Sequence, residues 1–328
     1  MFLRNTDVGA VFRFFVFLRA SMDDSEKVQV GGQAVIEGVM MRSPEFVTVA
    51  VRKPDGNILL KKDRYTSWTK RFKVLGFPII RGGVILIESM VLGIKALNFS
   101  GDVAITEEEK KKDPDKVPDK RSKLWTAGAV VLALGLGIGL FFFLPLLLTE
   151  LMGVKSGLLF NLIDGIIRLI FFLVYLALIS LWKEIRRIFE YHGAEHKSIF
   201  AYEEGKPLTV EGIRSFTTRH PRCGTSFLIV VMLVALVVFI LLGKPQNWGD
   251  RFIRFLFIPV IGGISYEIIR LSGKKFGKKL AKVLVSPGLW LQKITTKEPD
   301  NSQLEVALVA LNGALDRDVG ADVEMFSG

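Results

Sequence analysis

All three histidines and the single cysteine of this chain lie between His192 and Cys223. They fall in two short runs, Tyr191-His192-Gly193-Ala194-Glu195-His196-Lys197 and Arg219-His220-Pro221-Arg222-Cys223-Gly224. Helical turning of about 100° per residue puts His196 about 40° round from His192 and Glu195 about 60° the other way, so the three share one face. Two imidazoles at that spacing suit one zinc ion, and the glutamate between them can take a proton from water held there. His-x-x-Glu-His is the inverted zinc-hydrolase pattern. Such a site also needs a third protein ligand and an open position. His220 and Cys223, separated by two residues with Pro221 stiffening the turn, are the nearest candidates.

Other polar residues are candidate supports or substrate contacts. Glu203 lies eleven residues beyond His192, about three helical turns, and returns to the same side. Glu37 and Arg42 would come from the N-terminal region and roof the site. Glu267 lies in an apolar run, where a lone carboxylate is costly. It suits a ligand, a supporting carboxylate, or the mate of Arg254 or Arg270. Rival readings of the cluster stay open. His192, His196, His220 and Cys223 could close a four-coordinate zinc clip with no chemistry. The histidines could hold carboxylates and headgroups without metal, or Cys223 could be a nucleophile with His220 as its base.

The elements around the cluster are largely apolar. Half of the 328 residues are hydrophobic, and the mean hydropathy is +0.37. Trp125 to Leu148 carries no charge, and Leu158 to Trp182 carries only Asp164 and Arg168. Phe227 to Gly243 is uncharged, and Phe252 to Leu271 is interrupted only by Arg254, Glu267 and Arg270. With the ~20 residues that a bilayer requires, these runs predict four transmembrane helices. The second is expected to continue past the membrane to the histidines. Asp164 and Arg168, four residues apart, read as a self-neutralised pair.

The expected fold is an α-helical integral membrane protein with about four transmembrane helices and a small N-terminal α+β region. Residues 1–27 read as a disordered or interfacial extension, with Met22 as an alternative start. Residues 28–101 contain a β-hairpin turning at Asp55-Gly56, a third strand from Gly31 to Met41, and an interfacial or re-entrant helix broken near Pro78. Residues 102–124 form a charged linker, and 125–182 the first two spans. The His/Cys loop covers 183–226, and the last two spans 227–272. A basic tail, 273–328, carries a short amphipathic helix from Gln303 to Leu315 and ends in a frayed dozen residues.

Basic residues crowd the connection between spans two and three and the stretches before span one and after span four. The positive-inside rule then places both termini and the histidine loop in the cytoplasm of a plasma (inner) membrane. The single cysteine fits a reducing compartment. A net charge of +11 matches a lipid bilayer with anionic headgroups. A nucleic-acid surface would need a basic soluble face with interleaved aromatics, so no nucleic-acid partner is expected.

Three longer runs carry a resemblance. Gly31-Gly32-Gln33-Ala34-Val35-Ile36-Glu37-Gly38-Val39-Met40-Met41-Arg42, the His192 run and His220-Pro221-Arg222-Cys223-Gly224-Thr225-Ser226-Phe227 resemble signatures of the YqhQ family. These are bacterial integral membrane proteins of unknown function, described as predicted metal-dependent enzymes. The resemblance covers about Val28 to Leu315. It implies a membrane protein with a metal site and brings no substrate.

The expected function is a metal-dependent hydrolase, with Zn2+ or another divalent metal on His192, His196, His220 and Cys223. Glu195 is the catalytic base, and the substrate is a membrane-proximal peptide, amide or lipid ester. A non-catalytic scaffold with a structural metal, serving a membrane-protein partner in insertion or envelope machinery, is the alternative. A small transporter using Asp164, Arg168 and Glu267 is the third.

Overall fold

A computed structural model describes residues 28–112, 128, 131–221, 223–272 and 278–326. The expected N-terminal extension, most of the charged linker and the start of the basic tail lie outside the described residues. The N-terminal region is a meander of four antiparallel strands: β1 (Gly31–Val35), β2 (Gly38–Arg42), β3 (Phe46–Arg52) and β4 (Ile58–Arg64). The Asp55-Gly56 turn joins β3 to β4, with Gly56 at φ 94°. Glu37, at φ 51°, turns β1 into β2.

Both faces of the sheet are covered, which is why β3 reads as one continuous apolar run. Val35, Met40, Val47, Val49 and Val51 meet Ala96 and Leu92 of α2 (Ile80–Lys112), which follows the short α1 (Trp68–Arg71) and a 3-10 turn, Lys73–Gly76. The expected break near Pro78 is the start of α2. Val39, Met41, Ala50 and Leu60 form the other face. Against it lie α5 (Lys183–Glu204), α6 (Val210–Arg214) and α11 (Asn301–Ala314). The buried Thr48 hydroxyl donates to the Ala310 carbonyl at 2.7 Å and ties the sheet to α11.

The expected frayed end instead contributes β5 (Val323–Met325), which pairs in parallel with β4. Its signal is only three residues long, below what an alternation pattern can reveal.

The apolar half contains α3 (Val131–Leu151), α4 (Gly157–Ile179), α7 (Gly224–Leu242), α8 (Trp248–Leu256), α9 (Ile258–Ser272) and α10 (Lys278–Thr295). Among the described residues, three stretches are long and apolar enough to cross a membrane: Val131–Leu151, Gly157–Ile179 and Trp248–Arg270. Phe227–Leu242 is a shorter apolar helix. Arg168 pairs with Asp164 at 2.9 Å on α4, as its spacing predicts. Glu267 is held by Arg81 of α2, with Nε at 2.6 Å from Oε1, so its mate is neither Arg254 nor Arg270.

The second apolar helix does not run on into the histidine segment. Ser180 to Trp182 form turns, and Trp182 is extended (φ -77°, ψ 136°) at the start of α5. The helix carrying the histidines is thus a separate element, free to take its angle from the sheet and not from the apolar bundle.

Candidate metal centre

The chain builds the centre on α5, the helix buried from Gly193 through Ile199. Gly205 ends it in the left-handed region (φ 69°), where its N–H bonds the Tyr202 carbonyl at 3.1 Å. His192 and His196 come from α5 as their spacing requires, with ring centroids 4.4 Å apart. Cys223 reaches them from the turn before α7. Ligand atoms of these three residues lie within 4.8 Å of one another, the grouping of candidate ligands found among the described residues.

Backbone carbonyls fix the direction of both rings. His192 Nδ1 is 2.8 Å from the Thr295 carbonyl, and His196 Nδ1 is 2.5 Å from the Thr218 carbonyl. A carbonyl only accepts, so each Nδ1 carries the hydrogen and each Nε2 turns the other way. His192 Nε2 stands 3.2 Å from Cys223 Sγ. His196 Nε2 is buried with no hydrogen-bond partner. Burial also pushes the His196 pKa below the usual imidazole value. Cys223 Sγ accepts from the Thr225 hydroxyl at 3.2 Å and from its N–H at 3.4 Å, capping α7. This is the outer-sphere pattern that orients metal-binding imidazoles, with an oriented sulfur as third donor.

Two glycines make the approach close enough. A Cβ on Gly193 would lie 2.1 Å from the Lys297 carbonyl oxygen. Without one, the chain after α10 lies against α5, where Lys297 N–H bonds the Phe189 carbonyl and Thr295 meets His192. A Cβ on Gly32 would lie 2.6 Å from the Met40 carbonyl oxygen and 3.0 Å from the Glu195 carboxyl carbon.

Glu195 is 5% exposed. Burial raises its pKa above the ordinary carboxylate value, against the opposing pull of His192 and His220 and of a hydrogen bond from Gly32 N–H. His220 is placed differently from the other two histidines. Its Nε2 faces Glu203 at 3.3 Å, and its ring meets Phe200 at 4.4 Å between centroids. Burial lowers its pKa to about 4, so at neutral pH this is a hydrogen bond from an uncharged ring and not an ion pair. Gln292 clamps the His220 backbone, accepting its N–H at 2.7 Å and donating to its carbonyl at 2.9 Å.

A cavity of about 470 Å³ joins these groups, lined by His192, Glu195, His196, His220, Cys223 and the stretch from Val30 to Ala34. Glu37 and Arg42 lie elsewhere. Glu37 pairs with Arg187 and accepts from the Tyr191 hydroxyl at 3.3 Å, while Arg42 stacks on Tyr65 and faces Glu88 at 3.6 Å. The strand roofing the cavity is β1, through its backbone. Glu203 meets His220 at 3.3 Å and does not line the cavity, and Glu267 belongs to the α2–α9 contact. Thr218, Thr295 and Gln292 escape sequence reasoning because two of them act through main-chain carbonyls that any residue carries.

A membrane-type helical protein carrying a small sheet and one His/His/Cys cluster is the class that fold and site define. Residues 77–317 match the family described as "Protein of unknown function (DUF1385)". The chain is also 36% identical over 296 residues to "Uncharacterized protein YqhQ" of Bacillus subtilis (strain 168), covering 87% of this chain and 92% of that relative. No solved structure matches. The chain belongs to the DUF1385 family, in line with the resemblance read from its motifs. Both descriptions leave function open, so the chemistry rests on the geometry.

Proposed function

We propose that the protein is a zinc-dependent hydrolase of the bacterial plasma membrane, acting at the cytoplasmic surface on a membrane-proximal peptide, amide or lipid ester. One observation carries the reading: two imidazoles locked through Nδ1 aim their Nε2 atoms toward one cysteine sulfur, beside a buried glutamate. Two nitrogens and a sulfur suit zinc, and three protein donors leave a fourth position open. When bound, zinc would supply Lewis-acid polarisation of water and of a substrate carbonyl. Glu195 takes a proton from the attacking water, whose oxygen bonds the carbonyl carbon. The proton then passes to the departing nitrogen or oxygen as the acyl bond breaks. A carboxyl raised by burial suits a group that must both accept and return a proton. His220 and Glu203 brace the far wall.

Four crossings suit the chain better than three. The sheet, α5 and α11 form one core and so share a side of the membrane. An even number of crossings must separate each from the next. α3 and α4 supply two between the sheet and α5, and the Trp248–Arg270 stretch needs α7 as its companion. At 1.5 Å per residue the 19 residues of α7 span about 28 Å, close to the ~30 Å hydrocarbon core. The basic connections favour the cytoplasm as the shared side.

The test is metal analysis of purified protein together with Glu195→Gln. Stoichiometric zinc in both, with hydrolysis of p-nitrophenyl acetate only in the parent, is expected. A preparation without bound metal, or one in which the variant is as active as the parent, rules the reading out. Cys223 also caps α7, so a metal there would clip α7 to α5, and this supports the scaffold reading as the second choice. A scaffold would keep its cellular role after Glu195→Gln.

A further inference from the structure

The edge of the sheet beside the metal centre is open. β1 is terminal in the strand order, and no other strand pairs with its outer side among the described residues. Gly31, Gly32 and Gln33 are exposed, whereas β2 and β3 are almost wholly buried. Edge strands are ordinarily protected by charges, proline or a bulge, and Val30-Gly31-Gly32-Gln33-Ala34 has no charge and no proline.

The register shows which backbone groups face outward. The Glu37 carbonyl accepts the Arg52 N–H at 2.8 Å, so odd-numbered residues of β2 bond toward β3. Even-numbered residues of β2 therefore bond toward β1, and their partners are Val35, Gln33 and Gly31. The main-chain groups of Gly32 and Ala34 are left pointing away from the sheet. The stretch from Val30 to Ala34 lines the same cavity as His192, His196 and Cys223. At ~3.3 Å per residue it offers about 13 Å of strand edge.

We propose that the substrate is a polypeptide in extended conformation, which adds as a strand to the outer edge of β1 and presents a main-chain amide to the metal centre. This rests on the hydrolase reading and narrows it from three acyl classes to one. Main-chain hydrogen bonds supply affinity without regard to sequence, as in strand addition elsewhere. Ile188, Ile199 and Leu228 line the rest of the cavity and take alternate side chains. The reaction is amide hydrolysis: water oxygen bonds to the carbonyl carbon, the C–N bond breaks, and the proton carried by Glu195 leaves on the new amine.

The test uses the full-length, zinc-loaded protein in lipid nanodiscs with a peptide mixture from digested bacterial lysate. New amino termini are tagged and identified by mass spectrometry. The expected result is new termini with the parent protein and none with Glu195→Gln. The best-cleaved peptide is then resynthesised with one N-methyl group at each position in turn. Methylation at alternate residues should cut turnover at least tenfold while the intervening positions are tolerated, a period-two pattern that only strand pairing produces. Ala34→Pro, which removes an outward N–H, should bind zinc as the parent does and lose at least tenfold in peptide cleavage. A position-independent methylation profile overturns the edge, and this arm needs no protein variant. Hydrolysis of p-nitrophenyl acetate or of phosphatidylglycerol vesicles without peptide cleavage overturns the peptide while leaving the hydrolase standing. Absence of both metal and turnover removes the hydrolase itself.

Discussion

Glu88 and Glu195 are both buried carboxylates, 3% and 5% exposed, on helices that cover opposite faces of one small sheet. Glu88 is saturated. The Ser67 hydroxyl donates to it at 2.8 Å, the Trp68 N–H donates as well, and the Arg42 guanidinium stands 3.6 Å away. These contacts fasten α1 to α2. Glu195 lies beside the Gly32 backbone and faces imidazoles and a cavity, with its pKa raised by burial. A structural carboxylate collects donors until its lone pairs are filled. A reactive one is left short of them at a cost in stability, and on the hydrolase reading proposed above that shortage suits Glu195 to proton transfer.

Exchanging each carboxyl for an amide breaks or sharpens the contrast. Glu195→Gln should lower turnover by about 10²–10⁴-fold with zinc content and thermal midpoint kept, because an amide avoids burying a charge. Glu88→Gln should leave turnover within about twofold and lose about 1.5–3 kcal/mol of stability with its charge-assisted hydrogen bonds. Turnover assays and denaturant titrations on the pair decide it; similar behaviour in both would end the comparison. Next in size is zinc affinity by chelator competition. Cys223→Ser should weaken it at least ~100-fold, and His220→Gln only about 10-fold, since that ring is turned to Glu203.

Acid should also act on the Glu195 side. His220 has its pKa lowered to about 4 in the fold, against 6.5 for a free imidazole. Between those values the unfolded chain binds a proton that the folded chain refuses. Stability from this group is complete above pH 6.5 and falls as pH drops toward 4. The loss is on the order of 3 kcal/mol, and His220→Gln should flatten it in unfolding curves from pH 7 to 4. The smallest effect expected is for Gln292→Ala, about 1 kcal/mol by the same unfolding measurement, from two hydrogen bonds that hold the His220 backbone.

The parts of this protein that were legible in its sequence are those written in periodic or rare residues. The hairpin at Asp55-Gly56, the helix after Pro78, the apolar stretches and the shared face of His192, Glu195 and His196 all follow from spacing. What escaped is written in the main chain or across long separations. The Thr218 and Thr295 carbonyls orient the histidines whatever side chains those positions carry. Arg81 and Glu267 are far apart in sequence and share one contact between α2 and α9. The roof over the cavity was expected from the side chains of Glu37 and Arg42. It is made instead by the backbone of β1, and the signal available was Gly32, whose missing side chain lets the strand reach Glu195.

The pairing of β4 with Val323–Met325, extended by the Phe326 N–H to the Leu60 carbonyl at 2.9 Å, has a bearing on biogenesis. β4 is synthesised before the apolar helices and its neighbour β5 after them, so this flank of the sheet stays uncovered while the long stretch between them is made. Until then the hairpins are a natural client for a chaperone, and deletion of Val323–Met325 would leave that flank uncovered for good.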